Sequence, residues 1–279
     1  MLTKLKKKEK FHLLHSVKRE VYYSYIRIIR FFSYLFNKND EYQFLFILSP
    51  PYAGSTMLNQ IISSSDNVSC NNNLGTREGQ LLPGVKHFMF QKDRWNENVQ
   101  YPWEEVRKTW LRYWDYSKPV FLDKSIPNIM RVDEIEKVFS PIKYMCMVRN
   151  PYAQVEGLMR RNKQDAKSAA EFAIKCLYYQ SKNRKRENIL FFTYEQLCDN
   201  RQEVSQKMIE FIPELADLDM NIDLTSHNFK KTGKMKMTNL NDEKTAKISE
   251  TDFEIINSIF EKDKHLLKEF GYKIINNDK

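Results

Sequence analysis

Residues 46–58, FILSPPYAGSTML, carry the strongest chemical signal in the chain. An apolar strand runs into a tight turn at Gly54, and the hydroxyls of Ser55 and Thr56 open a helix. Unpaired backbone N–H groups at a helix start, with hydroxyls beside them, suit a phosphate or sulfate oxyanion. The purely structural alternative is a turn glycine followed by a hydroxyl N-cap. A Walker A loop is excluded, because its lysine and second glycine are missing. A second signal is MVRNPYAQVEGLMRR, residues 147–161. Arg149 falls there at the carboxyl end of a strand and Pro151 opens the next helix. From that place a guanidinium can hold a terminal phosphate through two charge-assisted bonds.

The elements that must position these groups read as alternating strands and helices. Apolar runs at 43–49, 119–125, 143–150 and 188–197 are strand candidates. Helical patterns follow from about Thr56 to Ile62, over 128–139, over 152–182 and after 197. Such alternation predicts an α/β fold, a three-layer αβα arrangement around a central parallel sheet of about five strands. Ligands then bind in loops at the carboxyl ends of the strands. Residues 228–247 have few large apolar side chains and read as a loop before a final helix near 251–270. We divide the chain into an N-terminal arm, 1–40, and a domain, 41–279.

At 279 residues, 42% hydrophobic and 29% charged, the chain is globular in composition. That excludes a disordered, collagen-like or disulfide-scaffold protein. Cys70, Cys146, Cys176 and Cys198 are widely spaced and read as reduced thiols, mostly in the core. The five histidines show no metal-ligand spacing, so no metal is expected. The net charge of +9 is a property of the arm, where residues 1–38 hold ten basic groups against Glu9 and Glu20. A near-neutral body argues against a nucleic-acid partner. The aromatic run Val21–Phe36 is too short and, with Arg27 and Arg30 inside it, too charged to cross a bilayer. The polar positions Ser16, Glu20, Ser24, Arg27 and Arg30 follow helical spacing. The apolar face they leave either docks on the domain or lies on an anionic membrane surface. No secretory cleavage site is evident, so the expected location is cytoplasmic, with peripheral membrane contact under the second reading.

The oxyanion loop and the R-N-P strand end together resemble the nucleotide-binding elements of the sulfotransferases that use 3′-phosphoadenosine-5′-phosphosulfate (PAPS), bacterial and Golgi tyrosylprotein-type members included. FLDKSIPN (121–128) resembles the family's K-[SD]-P segment, and LFFTYEQL (190–197) its V-x-Y-E-[DQ]-L segment. Four motifs thus fall in order over residues 43–212. The resemblance implies a P-loop-like fold with PAPS as sulfuryl donor. It assigns the 5′-phosphosulfate to Tyr52, Ala53, Gly54, Ser55, Thr56 and Met57, the 3′-phosphate to Arg149, and the adenine to Tyr194. Glu78, five residues before Pro83, resembles the family's general base, and Lys124 the lysine near the transferred group. Sulfuryl transfer needs such a base for the acceptor hydroxyl and a cation for charge growing on the leaving oxygen. The bland alternatives are a loop salt bridge from Glu78 to Arg77 or Lys86, and a surface lysine at 124.

Two positions depart from the family pattern. Tyr52 stands where a cation is usual, and Gly157 where a serine usually helps hold the 3′-phosphate. Arg160, Arg161 or a lysine of FKKTGK, with Lys231 as the choice, would replace those contacts. Two other functions compete. One is a small-molecule or saccharide kinase using ATP and magnesium, with Asp123 and Thr56 as metal holders. The other is a non-catalytic protein binding anionic ligands or membrane surfaces. The acceptor is read from the aromatic insert Trp95, Tyr101, Trp103, Trp110, Tyr113, Trp114 and Tyr116. Its rings would stack on a saccharide or lipid-linked glycan, or else they form core.

Overall fold

The structure, a computed structural model, describes residues 2–37, 41–225 and 236–275, with side chains from Val17 onward. Five parallel strands form one sheet: β1 (Gln43–Leu48), β2 (Val68–Cys70), β3 (Val120–Asp123), β4 (Ile142–Val148) and β5 (Ile189–Thr193). Their order is β2-β3-β1-β4-β5. The crossovers therefore diverge from central β1, two strands to each side, and the loop after β1 lies at that divergence. Registers such as Leu45↔Leu122 and Leu45↔Lys143 align the neighbours of β1.

The central strand β1 is apolar on both faces because both faces are covered. Phe44, Phe46 and Leu48 point into one core with Trp110, Trp114 and Phe139. Leu45 and Ile47 point into the other, with Leu58, Ile61 and Ile62 of the helix α2 (Ser55–Ile62). The three-layer αβα expectation holds.

Several element boundaries differ from the sequence reading. Residues 128–139 break at Arg131, whose buried guanidinium donates to the carbonyls of Asn96 and Glu97. A 3-10 turn, Ile126–Met130, and a short helix, Val132–Glu136, flank it. The stretch 152–182 is two helices, α4 (Pro151–Asn162) and α5 (Ala166–Asn183), with α3 (Trp103–Trp110) before them. Lys163 at φ 60 ends the first of the pair, and the Asp165 side chain caps the second through the Ser168 N–H. Strand β5 stops at Thr193, which forms a capping box with Gln196 and starts the helix α6 (Tyr194–Asp199). The final helix divides into α7 (Glu250–Lys262) and a shorter Lys264–Glu269. All four cysteines are buried and unpaired, as expected.

The arm is one helix, α1 (Leu2–Phe36). It docks through buried Tyr23, with Tyr22 and Ile26 beside it. Arg30 forms an ion pair with Asp115, and Ser33 Oγ donates to the same carboxylate at 2.5 Å. Among the described residues no helix is long and apolar enough to cross a membrane.

Candidate active site

Four strands are each followed at once by a polar residue of the candidate site: Asn71 after β2, Lys124 after β3, Arg149 after β4 and Tyr194 after β5. At the centre, Lys124 Nζ lies 3.2 Å from Glu78 Oε1 and 3.3 Å from Thr56 Oγ1. Both ionic side chains are buried, and Gln80 donates to the other Glu78 oxygen. The bland readings of these two residues therefore fail on geometry. Arg77 turns instead to Asn59 Oδ1 at 3.0 Å, and Lys124 is only 1% exposed.

Asp123 fixes the two segments that carry Glu78 and Lys124. Its Oδ1 accepts from the Gly79 N–H at 3.0 Å, from Asn71 Nδ2 at 2.9 Å and from Ser125 Oγ at 3.2 Å. Its Oδ2 accepts from the Ser125 N–H and Asn128 Nδ2, both at 3.0 Å. One carboxylate thus ties down the residue after Glu78 and the residue after Lys124. The approach is so close that a Cβ on Gly79 would fall 2.2 Å from Asp123 Oδ1. Complete burial pushes the Asp123 pKa up to about 6, against the lowering effect of its donors. Five protein donors occupy the oxygens that the kinase reading reserved for magnesium, so the metal-holding role given to Asp123 is corrected to a positioning one.

The loop after β1 rests on the β4 and β5 ends. Gly54, at φ 93, caps α2 and packs so tightly that a Cβ would meet Tyr194 Cδ2 at 2.8 Å. The Arg149 guanidinium stacks on the Tyr194 ring at 3.9 Å, donates from Nη1 to the Tyr52 carbonyl at 3.1 Å, and donates from Nε to Asn241 Oδ1 at 2.7 Å. Its Nη2 has no hydrogen-bond partner among the described residues, although Arg149 is only 4% exposed. A buried, unpaired guanidinium N–H fits an anion arriving at this point. Tyr194 itself is buried, donates its hydroxyl to the Thr238 carbonyl at 2.8 Å, and is pushed by burial to a pKa of about 12. Ala53 is buried, while Met57 is half-buried.

Tyr52 and Gly157 meet directly. The Tyr52 ring covers Gly157, and its hydroxyl donates to Asn162 Oδ1 at 2.5 Å. Arg160 pairs with Glu156 on the same helix. Lys231 and the rest of FKKTGK lie outside the described residues.

Sequence reasoning missed several supporting groups. Glu195 Oε1 accepts from the Asn150 N–H at 2.8 Å and from Asn241 Nδ2 at 2.5 Å, and through Asn241 it orients Arg149. Gln180, fully buried on α5, donates to the last carbonyl of β1, Leu48 at 2.8 Å, and to the penultimate carbonyl of β4, Met147 at 3.0 Å. A glutamine on an otherwise apolar helix face was the available signal. Lys244 lies 3.6 Å from Glu156 Oε2, and burial together with the Arg149 charge lowers its pKa to about 8.

The aromatic insert is mainly core. Trp103, Trp110, Tyr113 and Trp114 are buried. Trp110 Nε1 donates to the Gly79 carbonyl at 3.2 Å and Trp114 Nε1 to the Leu122 carbonyl at 3.0 Å. These rings back the site from inside, so for these four residues the core alternative holds rather than the sugar-stacking one.

The profile of the sulfotransferase family matches residues 45–215, more than half of the chain. The chain belongs to the sulfotransferase family. Among solved structures it is similar to the sulfotransferase domain of the Synechococcus PCC 7002 olefin synthase, at 18% identity and a TM-score of 0.53, covering 85% of this chain and 98% of that one. It is also similar to the sulfotransferase domain from the curacin biosynthetic pathway, at 14% identity and a TM-score of 0.49, covering 84% and 99%. Mouse sulfotransferase SULT7A1 complexed with PAP matches at 13% identity and a TM-score of 0.47, covering 82% and 89%. No curated relative matches. In this sulfotransferase, the family match spans the oxyanion loop, Glu78, Lys124, Arg149 and Tyr194.

Proposed function

We propose that this sulfotransferase moves a sulfuryl group from PAPS to an acceptor hydroxyl by in-line displacement. The observation that carries the reading is that Lys124 Nζ, at the carboxyl end of the sheet, lies within 3.3 Å of both Glu78 Oε1 and Thr56 Oγ1. Glu78 takes the acceptor proton as the acceptor oxygen bonds to sulfur. Lys124 neutralises the bridging oxygen as its bond to sulfur breaks, and 3′,5′-adenosine bisphosphate leaves. The ion pair between them holds both side chains in position before substrates arrive. Residues 52–57 hold the 5′-phosphosulfate, and Arg149, with its unpaired Nη2, holds the 3′-phosphate. Lys244 adds a second cation 3.6 Å from Glu156 on the neighbouring helix.

The acceptor remains a hydroxyl compound, with a saccharide or lipid-linked glycan as the first class to test. Its support is now the exposed arm described below rather than the tryptophans. Calorimetric titration with 3′,5′-adenosine bisphosphate, beside ATP with magnesium, tests the donor. Binding of the bisphosphate that is lost in Arg149→Ala and absent for ATP supports the reading, whereas magnesium-dependent ATP binding overturns it.

A further inference from the structure

The docked arm has a second face that no described residue covers. Val17, Val21, Tyr25, Ile28, Phe32 and Leu35 recur at spacings of four, four, three, four and three, which places them on one side of α1. Every one is at least half exposed, from 50% for Phe32 to 63% for Val21. Phe36 at the helix end is 79% exposed. The opposite side is fixed to the domain by Tyr23 and by the Arg30 and Ser33 contacts with Asp115. Solvent therefore meets a continuous apolar stripe on a rigidly held helix, and such a stripe has an energetic reason to find a partner.

The charges around it say which partner. The arm carries ten basic residues against two acidic ones over 1–38. Between α1 and the turn after α3, a cleft of about 300 Å³ sets Arg27, Arg30 and Arg112 around Phe31, Tyr34 and Tyr116. Arg30 is committed to Asp115, and Arg27 and Arg112 rim the opening. A second copy of the chain on this stripe would bring two strongly cationic arms together, which like-charge repulsion opposes. An anionic lipid surface takes the stripe and the cations at once, the aromatic and aliphatic side chains at the acyl boundary and the basic groups among headgroups.

We infer that the outer face of α1 is a peripheral docking surface for anionic membranes. The same helix touches the loop of the proposed base, since Tyr23 Oη donates to Asn72 Oδ1 at 3.2 Å and Asn72 Nδ2 donates to the Glu78 carbonyl at 2.7 Å. Docking would therefore hold the loop of the proposed base about one helix diameter, ~10 Å, behind the lipid-facing stripe.

Co-sedimentation of the full chain with vesicles tests this. The wild type is expected to pellet with phosphatidylglycerol-containing vesicles and far less with pure phosphatidylcholine, and raised salt weakens the binding. The triple variant Ile28→Ser, Phe32→Ser, Leu35→Ser should bind about tenfold or more weakly while its thermal midpoint is unchanged, these side chains being exposed. Arg27→Glu with Arg112→Glu should weaken the preference for anionic lipid. Equal pelleting of wild type and triple variant, or no pelleting with either lipid, overturns the inference. So does a wild-type dimer in light scattering that the triple variant dissolves, because the stripe is then a contact between copies.

Discussion

A Cβ placed on Gly157 would fall 2.7 Å from Cγ of Tyr52, so the two positions at which the chain departs from its family's pattern are in contact with each other. They form one coupled change: the ring at 52 takes the space that a side chain at 157 would fill. Tyr52 holds φ 63, a backbone region costly for an aromatic residue. The Arg149 bond to its carbonyl and the Asn162 bond to its hydroxyl secure it there.

Gly157→Ser should therefore destabilise the protein by about 1–3 kcal/mol, the usual cost of overpacking. Tyr52→Ala should remove most of that penalty when the two are combined. A double-mutant cycle in denaturant measures it, and simple additivity of the two changes would show that the contact is slack.

Glu78→Gln should lower kcat by roughly 10²- to 10⁴-fold, the range for losing a positioned general base. The amide keeps an acceptor for Lys124 and Gln80, so bisphosphate affinity should hold within about twofold by calorimetry. A variant with normal turnover would remove Glu78 from the chemistry.

Donor affinity should fall as pH rises through about 8. Burial and the nearby Arg149 hold the Lys244 pKa down near that value in the free protein. A bound polyanion favours the protonated amine and raises its pKa, so binding takes up a proton above pH 8 and weakens as protons become scarce. Calorimetry from pH 7 to 9 checks this, and Lys244→Met should flatten the dependence.

Asp123→Asn should cost roughly 2–3 kcal/mol, because an amide N–H₂ replaces one of two oxygens that face only donors. Turnover should drop as well, since the Gly79 and Ser125 backbones are then held less firmly. Chelator should leave wild-type activity unchanged. A chelator-sensitive rate would restore a metal to this carboxylate.

The strands that carry chemistry were legible because parallel strands buried on both faces are continuous apolar runs, as in QFLFIL of β1. The short edge strand β2, VSC, has too few residues for any pattern. Motif positions at Ser55, Lys124 and Arg149 were legible for the same reason as the strands: each is counted from a strand end. Asn241, Lys244 and Gln180 were not, because their partners are between 33 and 132 residues away in the chain. Only tertiary packing brings them to Arg149, to Glu156 and to the β1 and β4 carbonyls. The sequence leaves the tryptophans open between platform and core, because their spacing is the same whether the rings face solvent or core. Burial decides it, and burial here serves the Gly79 and Leu122 carbonyls.

Asn71, Lys124, Arg149 and Tyr194 each occupy the first position past a strand, so sheet registry fixes their backbones before any loop contributes. Segments that begin further along can lengthen, shorten or change sequence without shifting these four residues, provided the strands still pair. Replacing Gln180 would remove a side chain that ties the exits of β1 and β4 together, and so would blur donor binding and catalysis at the same time.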